Sequence, residues 1–461
     1  TFIDDYTVKS TFYLCLPFTL LFTSCVSIPE KRAQQVDEAL TIAPTYASSE
    51  YPDLELVDSL LELFDAPQLK QLVEQAWAHN PDLLIAASEM DEAGFNFEKS
   101  RGALFPSLSG NGAANRAGSN SSAASNTFSA SLDVEWEVDL WGELRNQTRA
   151  AQADQFASEA NYQATRQSLA AQTMQAWFNL IAAEKQLNLA ERERDSFTDT
   201  FELVNRRYEQ GIVTITEVEL AHTDAASALA DYESSKDARD QSARALKALL
   251  GQYPDASLSA STNWPALDRS IPSGLPSELL LARPDIIAAY QNIRAADARA
   301  AAAYADLFPS FTLTASGGRS SDTLSDLGRS AFDVWSLAGQ ISAPIFEAGQ
   351  RRAEVGAADA RAEQAYQNYR TVVINAFTEV ENALNSEAYL AREETARMEA
   401  LAAAHRAEAK SLRDYESGLI DILDLLEAQR RVFSTEAQTI SLHNLRLSNR
   451  VSLALALGKG F

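Results

Sequence analysis

Cysteine is nearly absent. Cys15 and Cys25 both stand in the first 25 residues and no other follows. That excludes a disulfide framework or a cysteine metal cluster from the rest of the chain. Four histidines (His79, His222, His405, His443) are scattered without paired spacing, and the chain has 3 methionines. No metal site is expected, and a copper or silver route is disfavoured, because soft metals need such ligands in numbers. Positive charge is also short, with 39 Lys and Arg against 64 Asp and Glu and a formal net charge of −25. A phosphate backbone would repel such a chain, so nucleic acid is excluded as a partner. No Ser/His/Asp grouping and no Gly-rich phosphate loop stands out. No catalytic residue, and no enzyme, is expected. After Cys25 no apolar run reaches the length of about 18 residues that a transmembrane helix requires.

The one apolar run, Thr11 to Phe22 behind Lys9, has the length of an export signal. It ends in Thr23-Ser24-Cys25, small residues before a cysteine that resemble a bacterial lipobox. Residues 1–24 are read as a signal peptide, with Cys25 as the lipidated first residue of the mature chain and 25–65 as a lipid-anchored extended lead-in. No cofactor is expected beyond that covalent lipid. One chain anchors weakly and several anchor firmly. An ordinary signal peptide with an incidental cysteine remains the alternative. Thr1 rather than Met opens the chain, so the start is read as truncated or mis-assigned.

What the chain does have is itself, twice. Asn80-Pro81-Asp82 leads to Leu104-Phe105-Pro106-Ser107, and Arg283-Pro284-Asp285 leads to Leu307-Phe308-Pro309-Ser310, each 203 positions later. Gly142, Tyr208, Gly211 and Gly251 then match Gly349, Tyr415, Gly418 and Gly458, each 207 positions later. A unit this long is no solenoid repeat. The boundaries expected are a first repeat at 66–251, a connector at 252–275 and a second repeat at 276–461.

Each repeat contains a long stretch of helix formers. From Glu143 to Gln210 there is neither proline nor glycine, and the copy from Gln350 to Ser417 has only Gly356. Ala, Gln, Glu, Arg and Leu dominate, so a single helix of roughly 100 Å is expected in each. Such lengths belong to coiled-coil-like rods. Tyr208-Glu209-Gln210-Gly211 and Tyr415-Glu416-Ser417-Gly418 end them, since a glycine after a helix is a stop signal. Tip turns at 208–216 and 415–421 then reverse the chain into return helices of about Thr216–Leu250 and Asp421–Leu457. Asp65-Ala66-Pro67 predicts an earlier helix start.

Between short and long helices the period falls to two. Phe128, Leu132, Val134, Trp136, Val138 and Leu140 alternate with Ser129, Ser131, Asp133, Glu135, Glu137 and Asp139. Strands are expected within about 107–140 and 309–345, four in all, each apolar on one face. Their length suits a membrane barrel, although an amphipathic sheet on a soluble core gives the same alternation. Four strands cannot close a barrel, so a shared one is expected.

Taken in this order and spacing, the chain resembles the TolC-type outer membrane efflux proteins, closest to the lipid-anchored branch that partners resistance-nodulation-division pumps. The resemblance rests on Leu275-Pro276-Ser277-Glu278-Leu279-Leu280-Leu281-Ala282-Arg283-Pro284-Asp285, the paired Leu-Phe-Pro-Ser, Ala343-Pro344-Ile345-Phe346 before Gly349, and both Tyr-x-x-Gly turns. It implies a mainly α fold with membrane β: a homotrimer whose 12-stranded β-barrel continues into a 12-helix periplasmic α-barrel. It also implies an outer membrane location, a periplasmic adaptor and an inner-membrane pump as partners, and passive export of small molecules. A type I secretion exit channel uses the same scaffold, and a non-pore coiled-coil scaffold lipoprotein is the alternative of another class.

Asp421, Asp424 and Glu427 recur every third residue after Gly418. The resemblance makes Asp424 and Glu427 the acidic pair of a periplasmic gate, with Asp421 beside them. Carboxylate rings narrow a pore and bind cations, yet the same spacing marks a solvated helix face. It also makes the tips at Tyr208, Gly211, Tyr415 and Gly418 contact points for the adaptor, besides their helix-stopping role. Asp133, Glu135, Glu137 and Asp139 are expected to face the barrel lumen and favour cations.

Overall fold

The computed structural model describes residues 32–34, 45–47, 55–56, 59, 62–120, 122–270, 276–329 and 333–458. The proposed signal segment, Cys25 and most of the lead-in lie outside them. The chain folds as two compact units, one of Glu98–Ala150 with Ala296–Arg361, the other of Arg32–Phe97, Ala151–Ala295 and Ala362–Phe461.

The repeats correspond element by element. Helix α1 (Pro67–His79) precedes α2 (Pro81–Gly102), and α5 (Pro276–Ala282) precedes α6 (Pro284–Ala305). The long helices α3 (Glu143–Glu209) and α7 (Gln350–Glu416) have 67 residues each. The return helices α4 (Ile215–Leu249) and α8 (Ile422–Ala456) have 35 each. Among the described residues, six glycines have positive φ, between 64° and 86°: Gly142, Gly211, Gly251, Gly349, Gly418 and Gly458. They are the three pairs that match at a separation of 207. The repeat therefore preserves the positions where the chain turns through left-handed backbone, which a Cβ disfavours. Pro67 starts α1 as foreseen, but Asp65 does not cap it. Ala66 holds the cap position with no side-chain bond to the helix.

The first unit holds an antiparallel sheet of β2 (Ser107–Ser119), β3 (Ser122–Glu137), β5 (Ser310–Ser321) and β6 (Asp333–Ser342), in that order. The register sorts its side chains cleanly. Leu108 is opposite Val134, which is opposite Ala315, which is opposite Leu337. Ser109, Asp133, Ser316 and Ser336 are opposite one another in the same way. Residues directly opposite share a face, so one face carries the apolar set of all four strands, with the Arg319–Asp333 ion pair at the β5–β6 turn end, and the other carries hydroxyls and carboxylates. The apolar face is open, with Leu108 68%, Leu337 75% and Trp335 83% exposed. The second copy's extra residues fall in the β5–β6 connection, which contains a 3₁₀ turn at Leu324–Gly328. No helix among the described residues is long and apolar enough to cross a membrane.

The second unit packs its helices around buried Leu69, Val73, Met174, Phe178, Leu180, Ile181, Leu246, Leu447 and Val451. Burying each such side chain contributes about 1.5–3 kcal/mol. A second cluster lies toward the turns, around Val204, Tyr415, Ile422, Leu425, Leu426 and Phe433. A short parallel pair, β1 (Glu55–Leu56) with β4 (Arg269–Ser270), ties the lead-in to the end of the connector.

Each return helix ends against the start of its own repeat. Asn80 Nδ2 donates to Leu249 O at 2.9 Å, while its Oδ1 accepts from Asp82 N and caps α2. At the matching place Arg283 donates to Ala456 O at 3.1 Å and pairs with Asp285 and Glu379.

Candidate functional site

The two tips close by the same motif. Gly211 N donates to Tyr208 O and Ile212 N to Arg207 O; Gly418 N donates to Tyr415 O and Leu419 N to Asp414 O. This paired pattern satisfies the last carbonyls of a helix and needs left-handed backbone at the glycine. The tyrosines have parted company. Tyr208 is 42% exposed and Tyr415 is 2% exposed. Arg207 explains the difference, since its Nη1 donates to Tyr415 O at 2.7 Å and its guanidinium lies 4.6 Å from the Tyr415 ring centre. That contact joins α3 to α7. Burial, together with the charge of Glu217, pushes the Tyr415 phenol up, against the opposing pull of Arg207.

At the start of α8 the three acidic residues share one exposed face, while Ile422, Leu425 and Leu426 point inward. Their roles differ. Asp421 is the N-cap, its Oδ1 accepting from Leu423 N at 2.9 Å and Asp424 N at 3.2 Å. Its counterpart Thr214 caps α4, and there Glu217 Oε2 accepts from Thr214 N at 2.6 Å. Asp421 therefore has a helix-starting task that the sequence reading did not assign. Glu427 accepts from Arg431 at 2.8 Å and lies 3.7 Å from Arg430. The Arg431 hydrogen bond, with the Arg431 and Arg430 charges, holds its carboxyl below the usual range. Arg430 in turn pairs with Asp224 of α4 at 2.9 Å. Asp424 is exposed and accepts no side-chain hydrogen bond or ion pair among the described residues. Behind this face Gln429, 4% exposed, donates to Thr200 Oγ1 at 2.9 Å and to Ser196 Oγ at 3.1 Å.

Of the four strand carboxylates, Asp133 and Glu135 sit on the polar face within β3, and Glu137 closes that strand. Asp133 accepts from Asn111 at 2.6 Å and from Ser131 at 2.9 Å, both on the same face. Asp139 departs from the expectation. It lies beyond the strand and accepts from Arg145 N at 3.0 Å and Arg145 Nε at 2.9 Å, at the start of α3. The alternation continues through Val138 and Leu140 after the ladder has ended, so pattern alone could not separate a cap from a lumen residue. Trp136 lies on the apolar face and donates to Leu104 O at 3.1 Å. Arg351, missed from sequence, pairs with Asp306 and Glu347 at 2.8 Å each, at the start of α7. No group of carboxylates and histidines among the described residues is arranged to hold a metal.

Comparison with known proteins comes to one answer. Residues 72–252 and 275–459 match the family described as outer membrane efflux protein. The chain is 30% identical to the cation efflux system protein CusC of Escherichia coli K12, over 85% of this chain and 87% of that protein. It is 32% identical to the outer membrane protein OprJ of Pseudomonas aeruginosa, over 86% and 84%. It superposes on the open state of the MtrE outer membrane channel of Neisseria gonorrhoeae with a TM-score of 0.80 and 30% identity, covering 90% of this chain and 95% of that one.

Proposed function

The chain belongs to the outer membrane efflux protein family, and from that premise we propose that it is the outer membrane exit duct of a tripartite efflux system. Small molecules pass through it from a periplasmic adaptor and an inner-membrane pump to the exterior. The observation that carries this is the sheet. Its register leaves one face mainly apolar and exposed, with Arg319 and Asp333 paired on it toward the β5–β6 turn, and both edge strands, β2 and β6, lack an outer neighbour within the described chain. Lipid tolerates no open edge, and four strands cannot close a barrel. Three copies give twelve strands, with the apolar face to lipid and Asp133, Glu135 and Glu137 to the lumen. Cys25 as a lipid anchor belongs to the same proposal.

Asp424 and Glu427 form the acidic constriction at the periplasmic end. Three copies of an unpartnered Asp424 around one axis repel one another and attract cations. In a planar bilayer the purified channel is expected to conduct weakly. Asp424→Ala with Glu427→Ala is expected to raise that conductance several-fold, roughly the effect of removing about 1 kcal/mol of barrier. An open wild-type pore indifferent to both changes would move the constriction elsewhere. A folded protein that never conducts would favour the scaffold reading.

The tips at Gly211 and Gly418 meet the adaptor. Cysteines placed at the exposed neighbours Ile212 and Leu419 are expected to cross-link to it in cells. Recovery of the duct alone from both positions would count against that contact.

A further inference from the structure

Because the chain is duplicated, each side chain has an internal control, and at one place the copies hold opposite chemistry. In the first helical hairpin Leu180 and Ala243 are both 0% exposed. Their counterparts 207 positions later are Glu387 and Arg450, buried as deeply at 5% and 3%. Arg450 Nε donates to Glu387 Oε1 at 2.9 Å and Nη2 lies 2.8 Å from the same oxygen. Arg446 bridges Glu387 to Glu394, and Glu394 accepts in turn from His443 Nδ1. Burial alone would raise the Glu394 carboxyl, but the bonds from Arg446 and His443 outweigh it and leave it below its ordinary value. An apolar pair of similar volume is commonly as stable as a buried ion pair or more so. Stability therefore does not explain why the second hairpin carries charges where the first carries leucine and alanine.

The network also touches the connector. The remaining Arg450 nitrogen, Nη1, donates to the carbonyl of Arg269 in β4. Trp264, further back along the connector, lies 4.8 Å from the His443 ring, with Lys185 of α3 5.5 Å from the indole. The connector's other end is held by the first hairpin, where Arg239 donates to Ala256 O at 2.8 Å and Leu258 O at 2.9 Å. The connector is thus a strap fastened to both return helices by arginine.

We infer that Arg450 is a positioning residue: by bonding Glu387 and the strap with one guanidinium, it fixes the pivot about which α8 tilts its acidic end. Helix α8 runs from Ile422 to Ala456 without proline or glycine, so it behaves as a stiff lever. Glu427 lies roughly 35 Å along it from Arg450 at 1.5 Å per residue. A planar guanidinium bound on two sides has one geometry, whereas leucine against alanine can slip. The first hairpin has its own guanidinium between long helix and strap, Arg239, which donates to Glu184 of α3 at 2.9 Å, but none where Leu180 and Ala243 meet, and the constriction residues are on the hairpin held by Arg450. This rests on the exit-duct reading above.

The test compares wild type, Glu387→Leu with Arg450→Ala, and Arg450→Lys as purified channels in planar bilayers. The double variant installs the first hairpin's own residues and leaves no charge of this pair buried alone. Arg450→Lys keeps the charge beside Glu387 but cannot serve the strap at the same time. Both are expected to keep the heat-sensitive migration of the assembled barrel and wild-type cation preference. Both are expected to change open probability by about fivefold or more, the scale of a small coupling energy. Open probabilities within about twofold of wild type in either folded variant overturn the pivot and leave the duct intact. A wild-type protein that forms no pore overturns the duct and the pivot with it.

Discussion

Gly251→Ala is expected to be among the most damaging single changes in the chain, at roughly 3–5 kcal/mol, the range reserved for named structural faults. Two costs coincide there. Gly251 has φ +66°, and a Cβ at that position would fall on the carbonyl oxygen of His79. Left-handed backbone alone costs a residue with a Cβ about 1–2 kcal/mol. The clash adds to it because both partners are backbone, and neither can swing aside. Moving His79 would disturb Asn80, which caps α2 and holds Leu249 O. Gly211→Ala is the matched control, with φ +72° and nothing within 4 Å of its Cβ. Denaturant unfolding of the two variants in detergent separates the terms. Equal losses would mean that the close approach at His79 contributes nothing.

Leu132→Arg is expected to cost about 2–4 kcal/mol, the penalty for a cation on the lipid side of a barrel near mid-depth. Asp133→Arg, one residue on, is expected to change stability little and to shift ion preference toward anions. Leu132 is 60% exposed and shares its face with Leu108, Val134 and Leu337. Asp133 faces the opposite way, with its charge held by Asn111 and Ser131. Gel migration before and after boiling reports the first effect and reversal potential the second. If Asp133→Arg were the variant that failed to assemble, the faces would be exchanged.

Much of this architecture was legible because it depends on periodic patterns. Long runs without proline or glycine gave α3 and α7, period two gave the strands, and the matched glycines gave six left-handed positions, though not Ala348 at φ 50°. Fold class and family followed from those, and the comparisons bear them out. Roles that depend on a single atom were harder to read. Asp421 and Asp139 both looked like pore acids, yet one caps α8 and the other binds the start of α3. An aspartate near a helix start serves either purpose with the same neighbours in sequence. Asp65 had the right place for a cap and does not act as one. The buried charges Glu387 and Arg450 did not stand out in sequence, because helical spacing of charge does not report burial. Aligning them with Leu180 and Ala243 is the signal that could have exposed them.

The equal lengths of the two helical hairpins have a consequence for how such a chain can change. Each hairpin has a rod of 67 residues, and Arg207 of the first reaches Tyr415 of the second at their ends. Removing seven residues from α3 alone would draw its turn back by about 10 Å and leave Tyr415 without its arginine. The same deletion in α4 would be needed to keep that hairpin in register, and two more in α7 and α8 to keep the ends level. Length is therefore inherited as a set of four matched edits, each close to a whole number of heptads. A duct built this way acts as a ruler whose graduations are fixed, and a shorter or longer reach requires all four marks to move together.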